Sequence, residues 1–277
     1  AMVLSVNTSD GVFSALRNLT KSTSYLAKTN NELSSGFKVG SAKDDAATFS
    51  IAQQLRGEVH GLNAVKNSLD RAISTADVAS AAGEVISALL IELKEKAVAA
   101  KDPGLDDTSR AALNVDFAQL RDQISNIVAT ASFGGTNIIN DSGASITAIT
   151  DTKGNGTITV PSQDLSVGGP NVTVSDTQTI LTAAGAIAAV DAIETSIANV
   201  NSALSEIGSG ADSFASSREF ADLLSDTTEV GIGNLVDSNI ASARANQIAG
   251  ELRQALGIHT LSIANGAKYS ILSLFRE

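Results

Sequence analysis

Hydrophobic residues near the start of the chain recur at alternating steps of four and three residues. The repeated positions between residues 12 and 37 hold Val12, Leu16, Leu19, Thr23, Leu26, Asn30, Leu33 and Phe37. This pattern predicts a helix that packs along a partner helix, with two polar residues, Thr23 and Asn30, in the contact. Gly36 stands where a glycine often ends a helix, so we expect this helix to end there.

A longer hydrophobic stripe follows, and no proline interrupts it before Pro103. Its positions advance by about 3.5 residues on average and are Ile51, Leu55, Val59, Leu62, Val65, Leu69, Ile73, Ala76, Ala79, Ala82, Ile86, Leu90, Leu93 and Ala97. The stripe predicts one helix of about fifteen turns. Ser41 is predicted as its N-cap, with Asp44 completing a capping box and Asp45 favouring the positive end of the helix dipole.

The rest of the chain alternates between helical and β-type patterns. Leu113, Phe117, Leu120, Ile124 and Ile127 predict a third helix that begins near residue 106 or 107. From residue 133 to 180 the turn signals "FGGTN", "KGNG" and "VGGPN" and the alternating segments "TITV" and "NVTV" predict short strands and hairpins. Helix returns near residue 182 with an unbroken heptad series from Val190 to Phe214, and a last helix spans roughly 234–274.

These elements predict a mainly α-helical fold with a small β-rich insertion. A helix of about fifteen turns measures roughly 80 Å, which favours an elongated rod of long antiparallel helices, with both chain ends at one end of the rod. We expect a terminal coiled-coil domain (1–42 and 236–277), a rod domain of long helices (43–140 and 183–235) and a small variable β-rich segment (141–182).

Composition narrows the possible chemistry. The net charge of −11 and the lack of basic clusters argue against nucleic-acid binding. There is no cysteine and no long apolar run, so we expect no disulfide, thiolate site or membrane insertion. His60 and His259 are the only histidines, and no H-E-x-x-H motif is present, so we expect neither an enzyme nor a cofactor or metal. "DTKGNGTITV" is a poor calcium loop, because Lys153 and Ser162 occupy carboxylate positions, and we interpret it as a hairpin turn.

Three segments carry a family resemblance. The stretch "NNELSSGFKVGSAKDDAATFSIAQQLRGEVHGLNAVKNSLDRAISTAD" (30–77), "VATASFGGTNII" (128–139) and the C-terminal part ending in "ILSLF" resemble bacterial flagellins. The resemblance covers about 1–140 and 183–277. It implies an extracellular filament subunit with no catalytic site, exported by type III secretion without a cleaved signal. Its implied partners are other flagellin subunits, an export chaperone, the filament cap and hook-junction proteins.

The resemblance also assigns roles to individual residues. Terminal helices of flagellins pack as a coiled coil that lines the filament, which makes the apolar terminal residues a self-assembly seam: Leu16, Leu19, Leu26, Leu33, Ile248, Leu252, Leu256, Leu261, Leu272, Leu274 and Phe275. The joint between inner and outer layers falls on Gly36, Ser41, Lys43, Asp44 and Asp45. Where enteric-type flagellins present an arginine and a leucine to a Toll-like receptor, this chain has Glu92 and Lys96, so we expect weak or absent receptor activation.

Two alternatives stay open at the level of sequence. The ends of hook–filament junction proteins are similar to those of flagellin, so a junction protein is the nearest alternative. A surface glycan-binding adhesin on the same rod would need aromatic residues for sugar stacking, and 141–182 has none. The same segment is rich in Ser and Thr, which makes it a candidate for O-linked sugars if the resemblance holds.

Overall fold

The computed structural model describes residues 10–273, with side-chain environments as far as residue 266. Within that range the helices are α1 (Asp10–Ser35), α2 (Ala46–Ala100), α3 (Asp107–Thr130), α4 (Ala183–Val236) and α5 (Ile240–Ser273). Two short strands, β1 (Ile146–Ile149) and β2 (Thr157–Val160), form the sheet. The expected mainly α fold with a small β insertion is therefore confirmed.

The chain divides into two compact units. One consists of Ala1–Gly57 with Thr227–Glu277, and the other of Glu58–Asp226. We call them the terminal unit and the central unit. The three domains expected from the sequence correspond to layers of an assembled filament. The fold of one chain does not show those layers, so this division stays a prediction.

The central unit has one continuous hydrophobic core. The stripe of α2 is buried from Leu62 to Ala97, as its spacing predicts, and meets Phe117 and Ile124 of α3 and Ile193 and Phe214 of α4. Ile51, at the start of the predicted stripe, is exposed in the terminal unit. At Gly83 even a methyl group would collide with Leu204, so α2 and α4 approach closely there.

The insertion forms a single hairpin in the central unit. β1 and β2 are antiparallel, with Ile146 opposite Val160, and residues 150–156 make the turn that "KGNG" predicts. The N–H of Ile149 donates to the Ser68 hydroxyl of α2 at 3.2 Å, and Thr152 packs against Gly61 of the same helix. These contacts fix the hairpin on α2.

The prediction of a strand at "NVTV" (171–174) is wrong. This segment forms only an isolated bridge between Val167 and Val172. The N–H of Thr173 donates instead to the hydroxyl of Ser196 in α4 at 2.9 Å, so a buried side chain takes the place of a neighbouring strand. The alternation of polar and β-branched residues in this segment therefore reflects burial of every second side chain, and the segment does not pair with a strand.

Side chains at helix ends and between helices complete the central unit. Asp106 caps α3 by accepting from the N–H of Ser109, and the helix begins where the sequence predicts it. Arg110 is buried and donates to two backbone carbonyls after the end of α2. Ion pairs join α2 to α4, from Lys66 to Asp222 at 3.2 Å and from Arg218 to Asp70 at 2.7 Å.

One described helix, α4, is long and apolar enough to meet a composition criterion for a membrane span, with a mean hydropathy of 1.2. A third of that window is buried inside the fold. Ala186, Ala189 and Ile193 of this helix lie in the core of the central unit.

Candidate functional site

The inner face of α1 is a heptad stripe that packs on α5. Its buried and half-buried positions fall at steps of three and four residues and are Val12, Ala15, Leu19, Ser22, Leu26, Thr29 and Leu33. The predicted positions Leu19, Leu26 and Leu33 belong to it, but Leu16 is 48% exposed. The smaller residues Ala15, Ser22 and Thr29 lie inside in place of Leu16, Thr23 and Asn30.

The inner face of α5 carries small residues opposite leucines of α1. One set of its inward positions recurs every seven residues as Ala243, Gly250, Gly257 and Ala264, and the positions between them carry the half-buried Gln247, Gln254 and Leu261. A methyl group on Gly250 would lie 3.2 Å from Leu26 Cδ1, and one on Gly257 would lie 3.2 Å from Leu19 Cδ1. The helices therefore run antiparallel and approach closely, with leucines of α1 seated over glycines of α5. Sequence reasoning missed these residues, although their seven-residue recurrence was visible.

The opposite face of α5 carries a second apolar stripe. Ile248, Leu252, Leu256 and Ile263 are between 57% and 75% exposed. At 3.6 residues per turn they fall within about 80° of each other and lie roughly opposite Gly250. We call these four residues the outer stripe. These four large aliphatic side chains thus face away from α1, and the glycines and alanines lie on the side that faces it.

The predicted seam residues therefore divide between the two faces of the terminal helices. Leu261 is half-buried on the inner side of α5, whereas Ile248, Leu252 and Leu256 belong to the outer stripe. Leu274 and Phe275 lie outside the described residues, and the side chain of Leu272 lies outside the described side chains. A cation–π contact adds to the pairing of α1 and α5, with the guanidinium carbon of Arg253 lying 5.8 Å from the ring centroid of Tyr25.

Gly36 ends α1 and starts the joint that leads to α2. Its φ of +78° is left-handed, which a glycine adopts without strain, and its N–H donates to Glu32 O at 2.9 Å. The following N–H groups of Lys38 and Val39 both donate to Val236 O at the end of α4. Ser238 N–H in turn donates to Gly36 O at 2.8 Å, so the α1–α2 and α4–α5 connections are hydrogen-bonded to each other.

Asp45 is the N-cap of α2. Its carboxylate accepts from the N–H of Ala47 at 3.0 Å and of Thr48 at 3.1 Å, and from the Thr48 hydroxyl at 2.9 Å. These bonds from Thr48 hold the pKa of Asp45 below its ordinary value. The prediction that Ser41 caps this helix is therefore wrong, because the helix begins five residues later, at Ala46.

Asp44 organises the turn before α2. Its Oδ2 accepts from the Ser41 hydroxyl at 2.9 Å and from the N–H groups of Ser41 and Gly40. The hydroxyl bond from Ser41 is the largest cause of a lowered pKa at Asp44. Lys43 is exposed in the same turn. The two adjacent aspartates thus have separate tasks, one in the turn and one at the helix.

The predicted receptor surface lies on α2 in the central unit. Glu92 is exposed, whereas Lys96 is half-buried and its Nζ lies 3.2 Å from Asp116 Oδ2 of α3. Lys94 pairs with Glu194 of α4 at 2.8 Å. Lys96 is therefore held by an ion pair between helices, and the loss of receptor recognition stays a prediction.

The two histidines do not form a site in the described part of the chain. His60 and His259 are both exposed. Among the described residues no group of three or more His, Cys, Asp or Glu side chains is arranged to hold a metal ion. The prominent features of the described chain are therefore helix surfaces and a hydrogen-bonded joint.

Comparison with known proteins settles the family. The family model for the bacterial flagellin N-terminal helical region matches residues 6–144. Flagellin FljN of Caulobacter vibrioides is 39% identical over 272 residues, which cover 98% of both chains. The chain belongs to the bacterial flagellin family. Flagellin FljO of the same organism is 36% identical at the same coverage, and a flagellin of Brucella melitensis is 26% identical over 281 residues.

Solved structures support the fold of this flagellin. The crystal structure of Bacillus cereus flagellin matches with a TM-score of 0.50 and 20% identity, covering 56% of this chain and 88% of that one. A Vibrio parahaemolyticus protein named as a candidate flagellar hook-associated protein matches with a TM-score of 0.58 and 14% identity, covering 70% and 100%. Fold alone does not separate filament from junction proteins. The full-length sequence relatives do, and this flagellin is a structural subunit of the flagellar filament.

Proposed function

We propose that this flagellin polymerises through the outer stripe of α5, while α1 holds the other face of that helix. Filament subunits of the family assemble with further flagellin subunits, and the proposal concerns which surface they use here. The observation that carries it is the division of α5 into a small-residue face against α1 and a large aliphatic face that is exposed.

The size of the outer stripe supports a protein partner. Burying one Leu or Ile side chain from full exposure contributes about 1.5–3 kcal/mol. Four such residues, each more than half exposed, offer on the order of 5 kcal/mol to a partner that covers them. A contiguous apolar face of this kind marks an interaction site more often than a chance surface feature.

The joint after α1 is hydrogen-bonded to the connection between α4 and α5. Backbone hydrogen bonds connect Gly36 and the two N–H groups of Lys38 and Val39, directly after α1, with the end of α4 and the start of the α4–α5 connection. We propose that Gly36, Ser41, Lys43, Asp44 and Asp45 form the transition between inner and outer filament layers, as the family resemblance implies.

An exposed apolar stripe also supports the other proposed partners. Before assembly such a surface favours aggregation, and an export chaperone that covers it would keep the chain soluble during type III export. Filament-cap and hook-junction proteins would meet the same terminal helices at the two ends of the filament. These partners are inferred from the family.

The test is seeded polymerisation of the purified full chain, followed by light scattering and electron microscopy. Leu252→Glu places a charge in the outer stripe, and we expect it to abolish filament growth while helical content is kept. Asn246→Glu is the matched control, because Asn246 is exposed on α5 outside the stripe. Wild-type growth by Leu252→Glu would refute the proposed surface, and a loss of growth in Asn246→Glu as well would show that any added charge on α5 is sufficient.

A further inference from the structure

The chain contains two Asn–Gly dipeptides in different structural settings. Asn155–Gly156 lies in the turn between β1 and β2, and Asn155 is exposed. Asn265–Gly266 lies inside α5. Asparagine is among the chemically labile residues of proteins, and a following glycine leaves its side chain open to attack from the next backbone nitrogen.

The reaction at such a site needs only water. The nitrogen of Gly156 attacks Cγ of Asn155, its proton passes to the side-chain amide nitrogen, and ammonia leaves as the succinimide ring closes. Water then opens the ring at either carbonyl, which yields aspartate or isoaspartate. No oxidant or reductant takes part. The step requires the backbone N–H of Gly156 to be free to lose its proton and to approach Cγ.

Asp151 occupies that N–H in this structure. Its Oδ2 accepts from Gly156 N–H at 2.8 Å, and its Oδ1 accepts from Asn155 N–H at 2.9 Å and Lys153 N–H at 3.0 Å. Desolvation raises the pKa of Asp151, but the N–H bonds of Gly156 and its neighbours outweigh it, and the net pKa is lowered. The carboxylate is therefore charged at neutral pH.

The surroundings hold the turn in this conformation. Gly154 has a φ of +74°, Thr150 N–H donates to Gly156 O at 2.9 Å, and Thr152 packs against Gly61 of α2. A side chain at Gly156 would collide with the Thr150 hydroxyl. The backbone nitrogen is thus fixed toward Asp151, and rotation toward the Asn155 side chain would break several bonds at once.

We propose that Asn155–Gly156 is a deamidation site and that Asp151 suppresses its reaction by holding the Gly156 N–H. When the hydrogen bond from Gly156 N–H to Asp151 is lost, deamidation converts the neutral Asn155 to an acidic residue. The isoaspartate product also adds one methylene to the backbone between the two strands, which disturbs their register. The central unit thereby carries a slow covalent ageing reaction, kept in check by one carboxylate.

The test measures aspartate and isoaspartate at residue 155 by peptide mapping after prolonged incubation of the full chain at neutral pH. Asp151→Ala should deamidate at Asn155 about tenfold faster than wild type, because a charge-assisted hydrogen bond is removed. Asp151→Asn, which offers one acceptor oxygen in place of two, should lie between them. Asp141→Ala is the control for charge in the same segment, since its carboxylate accepts only from the Ser142 hydroxyl in the described contacts.

Asn265 supplies a reference within the same molecule. Its rate should be equal in wild type and all three variants, because α5 holds Gly266 independently of the hairpin. In denaturant the wild-type chain should react at both asparagines at similar high rates. The proposal fails if folded wild type already reacts at Asn155 at the denatured rate. It fails equally if both Asp151 variants match wild type, or if Asp141→Ala accelerates the reaction as much as Asp151→Ala.

Discussion

The buried guanidinium of Arg110 offers a stability prediction with a clear physical cause. Arg110 is 8% exposed, and its ion pair with the exposed Asp107 is long, at 3.5 Å. Its main partners are carbonyls, with Nε donating to Ala100 O at 3.1 Å and Nη2 to Asp102 O at 3.0 Å. The cation therefore lies at the negative end of the α2 dipole, where it binds the carbonyl of Ala100 at the helix end and that of Asp102 in the following turn, which also accepts from Leu105 N–H.

The expected magnitude follows from these two bonds. Hydrogen bonds to a charged group contribute about 1.5–3 kcal/mol each, and Arg110→Met removes both while it keeps similar apolar bulk. We expect a loss of about 3–4 kcal/mol, since water can reach the released carbonyls in part. Arg110→Lys keeps the charge but reaches one carbonyl, so about half of that loss is expected. In the control Arg121→Met, a single bond to Gln178 O at 3.0 Å is lost, with an expected effect of about 1 kcal/mol.

Urea unfolding by circular dichroism, with midpoints compared at unchanged m-value, gives the free energies. Hydrogen exchange at the last turn of α2 assigns the change to the central unit, because it reports local opening separately from the terminal helices. The expected order of stability is wild type, then Arg121→Met, Arg110→Lys and Arg110→Met. An Arg110→Met chain within about 0.5 kcal/mol of wild type, or an equal loss in the control, would refute this account of the buried cation.

Three further predictions concern single contacts. The pKa of Asp45 is lowered in the folded chain, so the carboxylate stabilises α2 fully above the unfolded pKa near 4, and this stabilisation disappears as the pH falls through the folded pKa. The helix content of wild type should therefore fall in acid, and that of Asp45→Asn should fall less. Equal acid titration of the two chains would contradict the assignment of Asp45 as the cap of α2. Ser196→Ala should lower the unfolding free energy by about 1–2 kcal/mol, because the part-buried N–H of Thr173 loses its acceptor. Ser202→Ala, whose hydroxyl bonds only within its helix, should change it by less than about 0.5 kcal/mol, and equal effects would exclude the loop contact as the cause. Wild type should activate the flagellin-sensing receptor weakly in reporter cells, and the double variant Glu92→Arg, Lys96→Leu should raise the response. A wild-type dose–response like that of an enteric flagellin would contradict the role assigned to Glu92 and Lys96.

The long helices were predictable because their patterns are long and strictly periodic. From Leu62 to Ala97 every predicted stripe position in α2 lies in or beside the core, and the third helix begins at Asp107, within the predicted start. Burial on one face of a long helix leaves a spacing that a few exceptions do not obscure. The hairpin turn was equally clear, since "KGNG" combines two glycines between alternating segments.

Local competition between similar residues was harder to predict. Ser41 and Asp45 are both good capping residues, and only the observed hydrogen bonds show that the helix uses the second. On α1 the hydrophobic residue Leu16 seemed a better inward position than Ala15. The choice depends on the contact with α5, where Gly250 and Gly257, far away in sequence, leave room for Leu26 and Leu19. Single-helix periodicity does not contain that information.

The arrangement of α5 has an energetic consequence for the isolated chain. An ordinary amphipathic helix places its large aliphatic residues against its neighbour and gains most of its stability there. In α5 that face holds two glycines and two alanines, and each glycine weakens the helix by about 1 kcal/mol relative to alanine. The contact with α1 therefore specifies a close antiparallel alignment in which α5 itself contributes one large aliphatic residue, Leu261. Most of the apolar area available to α5 lies on the outer stripe, which the monomer leaves exposed. Ordering of the terminal helices should then depend mainly on a partner that covers Leu252 and its neighbours, so that assembly and completion of the fold become one step.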